Sequence, residues 1–228
     1  MPKRPPDRFQ DILTRAELRL ISGLRTPASI QEFLDSIEYS EEVRYRCPLN
    51  VLRDRKAHCF DGAVFGAGML QRIGYPPLVV DLISNKNDDD HVLAIYRVRG
   101  HWGAVAKSNF SGLRYREPVY RTLHELVFSY FEDFFNSVGE KTLRAYTRPL
   151  DLRVFEKLDW MVSDQALDSI GEKLDEIRKY KALTGSMIQN LSYADERSVK
   201  AGLLGARRDG LFKPAKSKRR SSAKHYSR

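Results

Sequence analysis

Phe9, Ile12, Leu13, Ala16, Leu20, Ile21 and Leu24 recur at the spacing of one helix face, so residues 8–24 predict an amphipathic helix. Thr26-Pro27 followed by Ser29-Ile30-Gln31-Glu32 reads as the capped start of a second helix, with Ser29 and Glu32 satisfying each other's orphan amides, running to about Tyr39. Pro48-Leu49-Asn50 opens a further helical turn, since proline suits a first helical position. From Cys59 to Leu70 the chain is apolar and crowded with small residues, and Gly74-Tyr75-Pro76-Pro77 stops it. This stretch predicts a buried helix in which Gly62, Gly66 and Gly68 let neighbouring elements approach closely.

The period then changes. Residues 78–84, 91–98 and 101–107 read as strands, the first pair joined by the polar loop 85–90 and the second by a tight turn at Arg99-Gly100. Residues 123–135 predict an aromatic-rich helix, 141–155 one or two more strands, and 163–183 a surface helix carrying Ala166, Ile170, Leu174 and Ile177. The pattern gives an α+β fold: a cysteine-headed helix on an antiparallel sheet, with helices at both ends. Its expected divisions are an N-terminal helical segment at 1–40, the core at 41–160, a C-terminal helical segment at 161–204 and a tail at 205–228.

The chain has 228 residues, 42% of them hydrophobic, enough to bury one sizeable core. No apolar run approaches roughly 18 residues and the amino-terminal stretch lacks an apolar signal core, so a cytoplasmic protein with no membrane contact is expected. In that compartment Cys47 and Cys59 stay free thiols. The net charge of +9 sits almost wholly in residues 206–228, where nine Lys and Arg face one acid, Asp209. The body is nearly neutral, and the tail is read as a disordered arm able to meet nucleic acid or another polyanion.

A thiolate attacks acyl carbon, so a catalytic cysteine needs a setting that favours ionisation, and a helix N-terminus supplies one. Cys59 occupies such a place. A histidine must lie close in space to manage protons, and His91, opening a strand able to pack beside the helix, meets that demand better than His58, His101 or His124. If the hairpin turns at Arg99-Gly100, Ser108 or Asn109 falls opposite His91, and Asn109 is the preferred group to orient the imidazole. Asp90, in the acidic loop beside His91, is assigned to substrate together with Trp102 as groove lining. Paired Cys/His spacing for a metal is missing, and no cofactor is expected.

Four segments carry a family resemblance: Ala57-His58-Cys59-Phe60-Asp61-Gly62-Ala63, Gly74-Tyr75-Pro76-Pro77, His91-Val92-Leu93-Ala94 and Gly100-His101-Trp102-Gly103-Ala104-Val105. Their order resembles the bacterial transglutaminase-like superfamily, within the papain-like thiol-enzyme fold. The resemblance implies a nucleophilic Cys59 with His91 as base. It departs from the pattern at Ala106, where such proteins usually carry an aspartate, which leaves Asn109 as the substitute third member. The expected activity is acyl transfer to water or an amine from a peptide, amide or ester substrate. Two rivals stand beside it: a non-catalytic binding module on the same fold, and a nucleic-acid-associated protein working through its tail.

Overall fold

The computed structural model describes residues 8–212. Its amino-terminal segment forms two helices, α1 (Arg8–Asp11) and α2 (Arg15–Gly23), in place of the single predicted one. Thr14 is the reason: its hydroxyl accepts from the Glu17 amide at 3.2 Å while the Glu17 carboxylate accepts from the Thr14 amide at 2.6 Å, a capping box that starts a new helix. The next helix, α3 (Pro27–Ser36), is capped by Thr26 and Ser29 and not by Ser29 and Glu32, because proline at its first position fixes the start one turn earlier. It ends at Ser36, where Ile37 turns extended into the short strand β1 (Glu38–Tyr39).

Strand β1 pairs in parallel with β2 (Lys56–Ala57), and α4 (Pro48–Asp54) lies between them in the chain. Helix α5 (Cys59–Arg72) follows, buried along nearly its whole length, with Phe65, Met69 and Leu70 sealed from solvent. Burying each such side chain contributes roughly 1.5–3 kcal/mol. Gly74, at φ +99°, closes the helix.

The antiparallel sheet comprises β3 (Leu78–Ile83), β4 (His91–Val98), β5 (His101–Val105), β6 (Arg116–Tyr120), β7 (Ala145–Thr147), β8 (Leu150–Asp151) and β9 (Lys179–Lys181). Its order is β6-β5-β4-β3-β7-β9, with β8 also paired to β3. Arg99 and Gly100 both take positive φ, the geometry of a tight hairpin matched to strand twist. Pairing runs from Val98↔His101 to Ala94↔Val105 and stops there, so β5 ends two residues before its predicted limit.

Alternation along the strands gives the sheet two apolar faces. Val79, Val92, Ala94 and Tyr96 join the cluster built on α2 to α5, which also takes in Leu167, Ile170 and Leu174 of α7 (Gln165–Glu176). Val80, Leu82, Leu93 and Ile95 join a second cluster under α6 (Leu123–Phe128) and the turn Phe131–Asp133. The predicted helix over 123–135 thus stops at Phe128, and that over 163–183 stops at Glu176, where Ile177 becomes extended and leads into β9. Two short helices, α8 (Gly185–Gln189) and α9 (Glu196–Gly202), complete the described chain.

Glycines decide how near α5 comes to the sheet. A Cβ on Gly62 would lie 2.3 Å from the Lys107 Cβ, and one on Gly66 would lie 2.9 Å from Val105 and 3.1 Å from Ala94. Through this gap Lys107 crosses the helix and donates to the carbonyls of Leu34 and Ile37 at 2.8 and 2.6 Å, closing the C-terminal end of α3. Overpacking here costs about 1–3 kcal/mol, so Gly62→Ala should lower the urea midpoint by the equivalent amount. Gly23→Ala, where an added Cβ meets nothing within 4 Å, should leave the midpoint unchanged or raise it.

Candidate functional site

Cys59 is the first residue of α5, and His58 is the residue that caps it. The Phe60 amide donates to His58 Nδ1 at 3.1 Å, and the His58 amide donates to Asp61 Oδ2 at 3.4 Å. Asp61 is wholly buried and its other oxygen accepts from the Arg46 amide at 2.9 Å, which anchors the loop before α4. The half-buried Cys59 thiol donates to the Asp90 carbonyl at 3.7 Å, with the Val92 amide beside it. The sulfur is therefore held against the first backbone turn of β4. Burial pushes the thiol up to about 12, with Asp81, Asp61 and Asp89 adding to the rise and the Val92 amide opposing it. Among the described residues no hydrogen bond engages the Cys59 backbone amide.

His91 shares strand parity with Leu93 and Ile95, so its ring leaves β4 toward the second apolar cluster, edge-on to Phe134 with centroids 6.5 Å apart. Its Nε2 lies 2.8 Å from the Leu113 carbonyl. A carbonyl only accepts, so Nε2 carries the proton and Nδ1 presents its lone pair. Burial lowers the imidazole to about 4, against the Leu113 hydrogen bond, and Arg116 lowers it further. Cys59 and His91 line one small cavity of about 50 Å³, together with Ser108, Asn109, Leu113 and Phe134. Both are neutral there, and no hydrogen bond among the described residues joins them.

Asn109 lies beyond the end of β5 and lines this cavity, but its amide is engaged elsewhere. Its Nδ2 donates to the Arg207 carbonyl and its Oδ1 accepts from the Arg207 amide, both at 2.8 Å. The group that bonds the second imidazole nitrogen is the Leu113 carbonyl, not Asn109. Trp102 sits at the far end of the β4-β5 hairpin opposite Arg97, whose guanidinium lies 4.8 Å from its ring, and it lines neither cavity described here. Its place in the strand register, six residues along β4 from His91, separates it from the groove it was expected to line. Asp90 does reach the site: its carbonyl meets Cys59 and its Oδ1 accepts from the Ser84 amide at 2.7 Å. Ala106, where an acid was expected by resemblance, is fully buried with its peptide clamped on both sides by Gln31 at 2.9 Å.

Outside Cys59 opens a larger cleft of about 880 Å³. Tyr39 and Tyr45, the acidic loop before β4 and α7 bound it, and residues 209–212 form part of its wall. The Asn109–Arg207 clamp holds that carboxy-terminal segment in place, and the Arg207 guanidinium pairs with Glu38. Residues 206–212 of the expected disordered tail are thus fixed on the body, while 213–228 lie outside the described residues. Among the described residues no group of three or more His, Cys, Asp or Glu is placed to hold a metal ion, and no helix is long and apolar enough to cross a membrane.

Sequence reading gave no role to Asp61, Asp81 or the Leu113 carbonyl, and it took the segment at 207–212 for part of a disordered tail. Asp81 had a readable signal, a lone carboxylate inside the apolar run Leu78–Ile83. Burial raises its carboxyl to about 7, helped by Asp90 and Asp175 and opposed by Lys179. The native state then holds this proton between pH ~4 and ~7 while the unfolded chain has released it, so Asp81 costs stability as pH rises through that window. Asp81→Asn should raise the urea midpoint at pH 8 and lose the gain as pH falls to 4. Asn109→Ala should free the carboxy-terminal segment, and limited trypsin treatment followed by mass spectrometry should show cleavage after Arg207 several-fold faster than in the parent chain.

No family model matches the chain, and no curated protein matches it. Among solved structures the chain is similar to Legionella pneumophila LapG, with 14% identity and a TM-score of 0.34 over 44% of this chain and 68% of that one. EGTA-treated Legionella pneumophila LapG gives the same identity and TM-score over 44% of this chain and 66% of that one. Likeness at this level assigns no family.

Proposed function

We propose that the chain is a thiol-dependent hydrolase of the papain-like, transglutaminase-like type, acting on an amide or ester through Cys59. The observation that carries this reading is a cysteine at a helix N-terminus sharing a cavity with a histidine whose tautomer a backbone carbonyl fixes. Cys59 Sγ attacks the acyl carbon as its proton passes to His91 Nδ1. The Leu113 carbonyl holds the opposite nitrogen and accepts a stronger hydrogen bond as the ring becomes cationic. The Cys59 backbone amide is free to donate to the developing oxyanion. The imidazolium then protonates the leaving amine or alcohol; a water deprotonated by His91 displaces Cys59 from the thioester, releasing the acid, and the imidazolium returns that proton to the Cys59 sulfur. Because thiol and imidazole rest neutral, proton transfer accompanies attack instead of preceding it.

A second reading, a binding module without turnover, is supported by the same resting state: the thiol sits near 12 and is bonded to the Asp90 carbonyl, not to the imidazole. Iodoacetamide labelling separates the two. Cys47 is fully buried and its thiol is likewise pushed up to about 12, chiefly by burial, so it serves as an internal reference. The hydrolase reading expects Cys59 to label at least tenfold faster than Cys47 at neutral pH, and His91→Ala to slow Cys59 about tenfold. Equal slow labelling, unchanged in His91→Ala, would leave the binding module.

A further inference from the structure

The cleft beside Cys59 is unbalanced in charge. Asp168, Glu172 and Asp175 stand at i, i+4 and i+7 on α7, one stripe of the helix, opposite the buried stripe of Ala166, Leu167, Ile170 and Leu174. Asp89 and Asp90 face them from the loop before β4, and Asp81 forms part of the inner lining. Among the described residues no lysine or arginine lines the cleft, and His58, which does line it, is lowered to about 4 by burial and by Arg46. Among the described residues Asp89, Asp168, Glu172 and Asp175 make no salt bridge. Like charges at i, i+4 on a helix destabilise it by roughly 0.2–0.5 kcal/mol, so the stripe is not a folding device.

Asp81 points to a ligand independently of that stripe. Only 7% of it is exposed, its Oδ1 has no hydrogen-bond partner among the described residues, and β3 places it on the α5 face of the sheet, across from Val92. Burying a polar atom without a partner costs about 1–3 kcal/mol. A cation entering from the cleft would supply the partner and remove that cost.

We propose that the cleft receives the cationic side chain, lysine or arginine, of a peptide whose acyl carbon is presented to Cys59, with Asp81 as the buried anchor. This deepens the thiol-hydrolase reading and rests on it for the role of Cys59. The carboxylates of α7 and of the loop before β4 draw the cation in, and Asp81 fixes its depth, so the charge selects substrate near the sulfur and takes no part in bond making.

Binding is measured without the chemistry, on the full chain carrying Cys59→Ala, with three fluorescent short peptides that differ at one position: lysine, norleucine or glutamate. Fluorescence anisotropy at low ionic strength should give the lysine peptide at least tenfold tighter binding than norleucine, with glutamate weakest. Added salt should narrow the range. Asp81→Asn should cut the lysine-to-norleucine ratio at least fivefold with norleucine affinity unchanged, and Glu156→Gln, outside the cleft, should leave all three alone. Equal affinity for lysine and norleucine peptides would overturn the proposal, and a lysine preference indifferent to Asp81→Asn would overturn the anchor. Slow labelling of native Cys59 alongside a preserved lysine preference would instead discard the hydrolase reading and keep a cation-binding cleft.

Discussion

The seat of the Cys59 sulfur at the start of β4, on the Asp90 carbonyl, is the contact on which the rest of the site depends. It exists because α5 lies so close to the sheet that Gly62 and Gly66 have no room for a side chain. Gly62 leaves room for the Lys107 stem and Gly66 for Val105 and Ala94, and the capping pair of His58 and Asp61 starts the helix at the position that brings residue 59 to the strand. Moving the helix outward by the width of a methyl group would lift the sulfur from the strand and open the cavity it shares with His91. Lys107 couples the same gap to α3 through the carbonyls of Leu34 and Ile37, so helix spacing, strand end and cavity form one unit.

Burial sets the resting electrostatics of that unit. It raises the Cys59 thiol, lowers the imidazoles of His58 and His91, and raises the carboxyls of Asp61 and Asp81, in each case toward the uncharged form. A site of this kind is poised rather than ionised. On the proposed hydrolase reading, charge develops there only when a substrate brings the groups that stabilise it. The carboxy-terminal segment, clamped to Asn109, supplies one wall of the outer cleft.

Much of this was legible from residue order. The small-residue helix, the strands from 78 to 105 and the Arg99-Gly100 turn follow from periodicity and punctuation, and each is found within a few residues of its expected place. The α+β class, with helices against an antiparallel sheet, follows from those elements. Boundaries governed by side-chain capping were harder: Thr14 splits the first helix through a bond to Glu17 that hydrophobic spacing does not encode. The orienting group for His91 was hidden for a deeper reason. A backbone carbonyl does that work, and carbonyls carry no sequence signature. Asn109 was drawn toward the imidazole by extending the hairpin register past its true end at Val105, whereas its amide pairs with Arg207, nearly a hundred residues away. Trp102 was read as groove lining from its aromatic character, and the strand register sets it apart from the cleft.

The central claim is that Cys59 carries an acyl group handed to it with the help of His91. Brief incubation with an activated phenyl ester, acid quench and peptide mass spectrometry tests it directly. The account predicts an acyl adduct on Cys59 that builds up and then decays in the parent chain, and an adduct formed far more slowly in His91→Ala. Acylation of Cys59 at the same rate with and without His91, or no adduct on Cys59 at all, would contradict it.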